Sequence, residues 1–222
     1  MSDKKSIYER PKSNLVNKNN IPDSFLNGKV TEKSLKNARS YTLASLLLSV
    51  PLIYYLLKSL AGQTSSQLDV IARVCEVISV GLWVYIIYTF GLCLNVRFKF
   101  YKINKIIFWN MGLSVAITLV GMLLNSEDTT FNYISLTYVL LLIAYGVNSI
   151  LMGRALFDEK VFYPYMRMFA WSTVAGGVCM ASIILFIFAL PFGLISLFAL
   201  LVIFHRLVWE LESSTVKDEE QQ

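Results

Sequence analysis

The fold is decided by one apolar stretch near the C-terminus, Met168–Trp209, which reads MFAWSTVAGGVCMASIILFIFALPFGLISLFALLVIFHRLVW. A helix needs about 20 apolar residues to cross the hydrocarbon core of a bilayer, so a run of about 40 residues is too long for one crossing. Pro191 and Gly193 interrupt this run; proline cannot continue the preceding hydrogen-bond ladder, and glycine tolerates the dihedral angles of a reversal. The stretch therefore predicts a helical hairpin that turns at Pro191 and Gly193, with one long tilted helix as the alternative.

The composition of the whole chain agrees with a membrane protein. Of its 222 residues, 55% are hydrophobic and only 16% are charged, and the mean hydropathy is +0.55. These values exclude an ordinary water-soluble domain and a disordered chain. The three cysteines, Cys75, Cys93 and Cys179, each lie inside an apolar run, which argues against a disulfide-rich secreted scaffold.

Further apolar runs of the required length precede the hairpin. The predicted membrane spans are Tyr41–Leu57, Val70–Leu94, Ile106–Leu124, Asn132–Met152, Met168–Leu190 and Phe192–Trp209. The sequence thus predicts an all-α, polytopic membrane bundle of six transmembrane helices over residues 41–209. Pro51 removes a backbone donor from the first span and predicts a bend there. Arg73 and Glu76 are three residues apart in the second span and can pair near the interface.

The distribution of lysine and arginine predicts the orientation. Residues 1–40 hold nine of these cations, and the connections after the second and fourth spans hold four and three. With six spans all of these segments fall on one side, which the positive-inside rule assigns to the cytoplasm together with both termini. Anionic lipid headgroups are the expected partners of these cations. The cell membrane is a more natural location than an internal membrane.

Two soluble tails flank the membrane domain. Residues 1–40 form a basic tail that we expect to be mostly disordered, although the segment from Thr31 to Ser40 can extend the first helix into the cytoplasm. Residues 210–222 form an acidic cytoplasmic tail, expected to be disordered after Ser213.

The fourth span carries polar side chains at alternating spacings of three and four residues, which places them on one helix face. The face consists of Ser135, Tyr138, Tyr145 and Ser149, with Asn148 beside it. One interpretation is the wall of a pathway or shallow binding site; the other is hydrogen-bonded packing between helices. Asn110 in the third span can meet Asn148 across the bundle.

The fifth span carries a ridge of small residues. Thr173, Gly177 and Ala181 are four residues apart, and Ser172 and Gly176 lie on the adjacent ridge. Small side chains at this spacing let two helix backbones approach closely. The partner is either the sixth helix in the same hairpin or a helix of another chain.

Signatures of catalysis are sparse. His205 is the only histidine, and it is followed by Arg206 and Glu210 at a predicted helix end. A general-base role for His205 on lipid is one interpretation; a helix end at the headgroup level, with Arg206 paired to Glu210, is the other. The sequence contains no HExxH, GxSxG, Walker or GxGxxG motif, so neither an enzyme nor a metal or cofactor site is expected. No acid lies in the middle of a span, which argues against a proton-coupled carrier or pump.

Two functional hypotheses remain. The first is a multi-pass protein without catalysis that acts as an accessory, assembly or regulatory subunit, through helix and tail contacts with a membrane protein partner or with copies of itself. The alternative is a small transporter or channel for a neutral or lipid-like solute, with the polar face of the fourth span as its pathway. Nucleic acid is not an expected partner, because the basic aromatic hexad Arg97–Lys102 lies between two spans and suits an interfacial anchor.

Overall fold

A computed structural model of the protein describes residues 30–63, 65–124, 133–157, 163–182 and 185–219. These residues form six α-helices and no strand. The helices are α1 (Glu32–Leu60), α2 (Ser66–Phe98), α3 (Asn104–Leu123), α4 (Tyr133–Phe157), α5 (Pro164–Ala181) and α6 (Ala189–Glu219).

The architecture is that of a helical membrane bundle, as the sequence predicts. Five helices, α1 to α4 and α6, are long and apolar enough to cross a membrane. The predicted fifth span, Met168–Leu190, is interrupted, because α5 ends at Ala181 after 18 residues. Helix α5 is not among the five helices that meet this criterion.

Helix α1 begins earlier than its apolar run. Thr31 caps it: the Thr31 hydroxyl accepts a hydrogen bond from the Ser34 amide at 3.1 Å, and the Ser34 hydroxyl accepts one from the Thr31 amide at 3.1 Å. This reciprocal cap confirms the predicted extension of the first helix from Thr31. Residues 1–29 of the predicted basic tail lie outside the described residues. The helix continues through Pro51, and the predicted bend at that proline stays a prediction.

The predicted position of the last hairpin turn is wrong. The chain reverses between the end of α5 at Ala181 and the start of α6 at Ala189, with a 3₁₀ turn at Phe186–Phe188. Pro191 and Gly193 lie in the first turns of α6. The physical reason is that the amides of a first helical turn have no partner within the helix, so a proline there loses nothing.

Two further expectations are corrected. Helix α6 continues through Glu219, whereas the sequence predicts disorder after Ser213. The sequence suggests that Arg73 pairs with Glu76. In the structure the hydrogen bonds of the Arg73 guanidinium go to the carbonyl oxygens of Met122 and Leu124, at 3.0 and 3.2 Å. The last carbonyls of a helix lack partners within it, and Arg73 supplies donors for those at the end of α3.

The six helices form a closed ring in sequence order. Each helix packs chiefly against its two neighbours along the chain, and α1 packs against α6 to close the ring. The start of α1 lies beside the end of α6, where Lys36 pairs with Glu212 at 2.9 Å. Consecutive helices alternate in direction, so the ring has two ends with different connections.

One end of the ring is densely packed. Phe90 of α2, Phe169 of α5 and Phe204 of α6 are all fully buried, and the rings of Phe90 and Phe169 meet edge to face with centroids 5.2 Å apart. We call this the charged end, because Arg97 and Glu210 lie there. The opposite end, where α1 meets α2 and α5 meets α6, is called the open end.

Candidate functional site

A cavity of about 340 Å³ lies inside the ring, between the packed phenylalanines and the open end. Five of the six helices contribute to its wall: α1, α2, α4, α5 and α6. Most of the lining is apolar, and none of the described lining residues carries a charge. The polar members are Ser49, Trp83, Tyr145, Ser149, Ser172, Thr173 and Ser196.

The polar face of α4 is divided by the structure. Tyr145 and Ser149 line the cavity, and Ser149 is only 5% exposed. Asn148 points to another neighbour and donates from Nδ2 to the carbonyl oxygen of Ile106 on α3 at 3.1 Å. Tyr138 lies nearer the open end, close to Gly121 and Glu76, and Ser135 lies one turn further towards that end. Only the central part of the predicted face therefore faces the interior.

Asn110 and Asn148 do not form the pair that the sequence suggests. Asn110 Oδ1 accepts a hydrogen bond from Trp83 Nε1 at 3.1 Å, while Asn148 is bound to the backbone of α3. The Tyr145 hydroxyl adjoins the same Trp83 and Asn110 side chains. Asn110 is completely buried and does not line the cavity. It contributes to the site through its hydrogen bond with Trp83, which does.

The small-residue ridge of α5 has two partners within the chain. A Cβ atom on Gly177 would lie 2.6 Å from the Gly146 carbonyl oxygen of α4, and one on Gly146 would lie 2.7 Å from the backbone nitrogen of Ala181. Helices α4 and α5 thus touch backbone to backbone, because glycine alone leaves room. The sequence did not single out Gly146 or the neighbouring contact of Gly153.

The adjacent ridge of α5 faces α6. The hydroxyl oxygens of Ser172 and Ser196 lie 2.7 Å apart in a buried hydrogen bond, and a Cβ on Gly176 would be in ordinary contact with Phe192 at 3.4 Å. Ser172, Thr173, Gly176 and Gly177 also line the cavity. The ridge and the polar face of α4, which the sequence treats as separate features, therefore border the same space.

Three hydroxyl groups of the cavity wall donate to backbone carbonyls. The Ser49 hydroxyl donates to Leu46 O at 2.6 Å, and the Thr173 hydroxyl donates to Phe169 O at 2.7 Å. Ser172 donates to the carbonyls one turn back, at 2.9 Å from Met168 O and 3.0 Å from Phe169 O. Each of these bonds satisfies the hydroxyl proton within its own helix, which is common where a hydroxyl cannot reach water.

The charged end contains a buried ion pair that the sequence did not predict. Arg97 Nε of α2 lies 3.2 Å from Glu210 Oε2 of α6, and the two side chains are 8% and 5% exposed. Arg206 is a weaker neighbour of Glu210 at 3.9 Å. The sequence anticipated only the Arg206 contact, because one helical turn is visible in a sequence and a partner 113 residues away is not.

Tyr163 completes this cluster. It directly precedes α5, is 3% exposed, and its ring centroid lies 4.5 Å from the Arg206 guanidinium. Burial, with the nearby Glu210 carboxylate, raises the pKa of the Tyr163 hydroxyl above its usual value. The cluster joins α2, α5 and α6 and holds the charged end of the ring together.

His205 has a cation as its neighbour. Its Nδ1 atom accepts a hydrogen bond from Arg39 Nη1 of α1 at 3.3 Å, and Glu210 is engaged by Arg97. The carboxylate that would orient His205 as a general base is therefore bound elsewhere. Among the described residues, no three His, Cys, Asp or Glu side chains converge as a metal site would require.

Comparisons with protein-family models, with curated proteins and with solved structures find no match to this chain. The candidate site therefore rests on its own geometry.

Proposed function

We propose that the protein binds a small, neutral, lipid-like molecule within the membrane and transports it. The observation that carries this proposal is the cavity inside the ring. Its volume of about 340 Å³ falls in the range of small-molecule sites, which are mostly apolar with a few convergent polar groups. The absence of charge among the described lining residues argues for an uncharged occupant.

The asymmetry of the ring supports a carrier rather than a permanently open pore. Phe90, Phe169 and Phe204 fill the interior at the charged end, while the cavity extends from the middle of the ring towards the open end. A carrier must close one end while its site is accessible from the other. We propose that the charged end faces the cytoplasm of the cell membrane, because the basic segments of the sequence cluster on that side.

The accessory-subunit hypothesis stays a prediction. Its support is the lack of catalytic motifs, the two charged tails and the small-residue ridge, and this ridge packs against α4 and α6 of the same chain. The enzymatic alternative through His205, Arg206 and Glu210 also stays a prediction, and the contacts of His205 and Glu210 offer it no support.

The test is to purify the full chain in mild detergent and identify every molecule that remains bound by mass spectrometry. A matched pair of variants makes the result specific. Gly193→Leu adds volume at the cavity wall, and Gly112→Leu adds the same volume on α3 away from the cavity; a Cβ at either position meets no atom within 4 Å.

We expect the wild-type chain and Gly112→Leu to retain an uncharged apolar molecule and Gly193→Leu to lose it. Equal retention by both variants would place the molecule outside the cavity and contradict the proposal. A stoichiometric protein partner with no bound small molecule would favour the accessory-subunit hypothesis instead.

A further inference from the structure

We infer that the ligand of the cavity is a neutral lipid alcohol, a molecule whose hydroxyl group donates a hydrogen bond to the cavity wall. This inference rests on the proposed function and names the chemical class of its substrate. It follows from counting the protons of the serine and threonine hydroxyl groups that line the cavity.

A carbonyl oxygen has no proton, so any hydroxyl close to one must be the donor. Ser49 and Thr173 each have one proton, and each directs it to a carbonyl of its own helix. What these two side chains present to the cavity is therefore the lone pairs of their oxygens.

The same count applies to the serine pair between α5 and α6. Ser172 directs its proton towards the carbonyls of Met168 and Phe169. When Ser172 donates to these carbonyls, the 2.7 Å bond between the two serine hydroxyl groups uses the proton of Ser196. Ser196, which is 7% exposed and lines the cavity, then presents its lone pairs to a ligand.

Helices α1, α5 and α6 thus each offer lone pairs to the cavity, and a ligand that supplies a donor can hydrogen-bond to them. The Ser149 hydroxyl of α4 supplements them. It is 5% exposed, it lines the cavity, and no side-chain hydrogen bond joins it to another of the described residues. Ser149 can donate to the oxygen of a ligand hydroxyl group, while that hydroxyl group donates its own proton to an acceptor on α1, α5 or α6.

An aliphatic alcohol is the simplest group that both donates and accepts without charge. A carboxylate or phosphate brings charge into a wall that has no described cation, and that charge is costly at this depth. An ether or an ester only accepts, so it cannot form a hydrogen bond to the lone pairs of Ser49, Thr173 and Ser196.

The experiment uses Trp83 as the reporter, because it lies in the cavity wall. Trp109, Trp171 and Trp209 are all more than half exposed and are replaced by phenylalanine in the full-length chain. Quenching of the Trp83 fluorescence is then titrated with 11-bromo-1-undecanol, with its methyl ether and with the matching bromocarboxylate.

We expect the alcohol to bind about tenfold more tightly than its methyl ether, the typical effect of one buried hydrogen bond, and more tightly than the carboxylate. Replacing Thr173→Val together with Ser196→Ala removes acceptors and should reduce the preference for the alcohol. Thr118→Val, a buried change on α3 outside the cavity, should leave it unchanged.

The outcomes separate the two proposals. Equal binding of alcohol and ether, or tighter binding of the carboxylate, overturns the inference about the alcohol while the cavity remains a ligand site. If none of the three compounds quenches Trp83, the proposed function itself fails.

Discussion

The two ends of the ring are built from the same helices and differ in what fills the space between them. At the charged end, phenylalanines and the Arg97–Glu210 pair occupy the interior. Towards the open end, small serine, threonine and glycine residues stand among the larger apolar residues of the wall, and a cavity results. The difference shows that side-chain volume, rather than helix arrangement, decides where the interior of this bundle is filled and where it leaves room for a ligand.

The largest effect is expected from breaking the ion pair at the charged end. Glu210→Leu leaves the Arg97 guanidinium buried without its carboxylate, and such a loss destabilises a protein by about 3–5 kcal/mol. Thermal unfolding of the purified protein in detergent measures this change. The double variant Arg97→Met with Glu210→Leu should recover much of the stability, because both charges are then absent. A single variant as stable as the wild type would show that the pair does not hold this end together.

The close contact of α4 and α5 allows a second test, halfway along the ring. Gly177→Ala places a Cβ 2.6 Å from the Gly146 carbonyl oxygen, and the forced separation of the helices should cost about 1–3 kcal/mol. The control is Gly112→Ala, where no atom lies within 4 Å and the lower entropy of alanine should slightly stabilise the helix. Equal melting temperatures for the two variants would refute the backbone contact.

The contrast in packing can be sharpened within α6 alone. Ala199 is fully buried, so Ala199→Leu should overpack the interior and cost about 1–3 kcal/mol. Gly193→Leu enters free space, and we expect its stability to lie within about 1 kcal/mol of the wild type. Thermal unfolding of both variants, side by side, reports the difference. If Gly193→Leu is the more destabilised of the two variants, the open end does not accept added side-chain volume better than the charged end.

The smallest effect is expected at His205. The side chain is exposed, and its contact with Arg39 is a single hydrogen bond at 3.3 Å. His205→Ala should change the free energy of unfolding by less than about 0.5 kcal/mol and leave ligand retention unchanged. If the wild type converts its bound ligand to another compound and the His205→Ala variant does not, the enzymatic hypothesis would be supported again.

The sequence predicted the helical membrane bundle because hydrophobic runs of sufficient length have few other solutions. It also predicted the extension of α1 from Thr31, a local feature that depends on neighbouring residues. It misplaced the last turn, because Pro191 is compatible both with a turn and with the first turn of a helix. A sequence gives two candidates in such a case, and packing selects one.

The site was harder to predict than the fold. Tyr145, Ser149, Thr173 and Gly177 were singled out for their spacing, yet spacing along two helices does not reveal that they border one cavity. No sequence pattern predicts the Arg97–Glu210 pair either, because the two residues are far apart in the sequence and come into contact only when the ring closes. Long-range geometry of this kind depends on all six helices together.

The closure of the ring by α1 and α6 also has a consequence for how the protein is made. A chain is synthesised from its N-terminus, so α6 emerges after α1 to α5. Until then α1 lacks α6 as its second neighbour, the cavity lacks one of its walls, and the Glu210 carboxylate is not yet beside Arg97. The arrival of α6 therefore completes the ring, the wall of the cavity and the Arg97–Glu210 pair in a single step of assembly, and a chain that stops before Ala189 would possess none of the three.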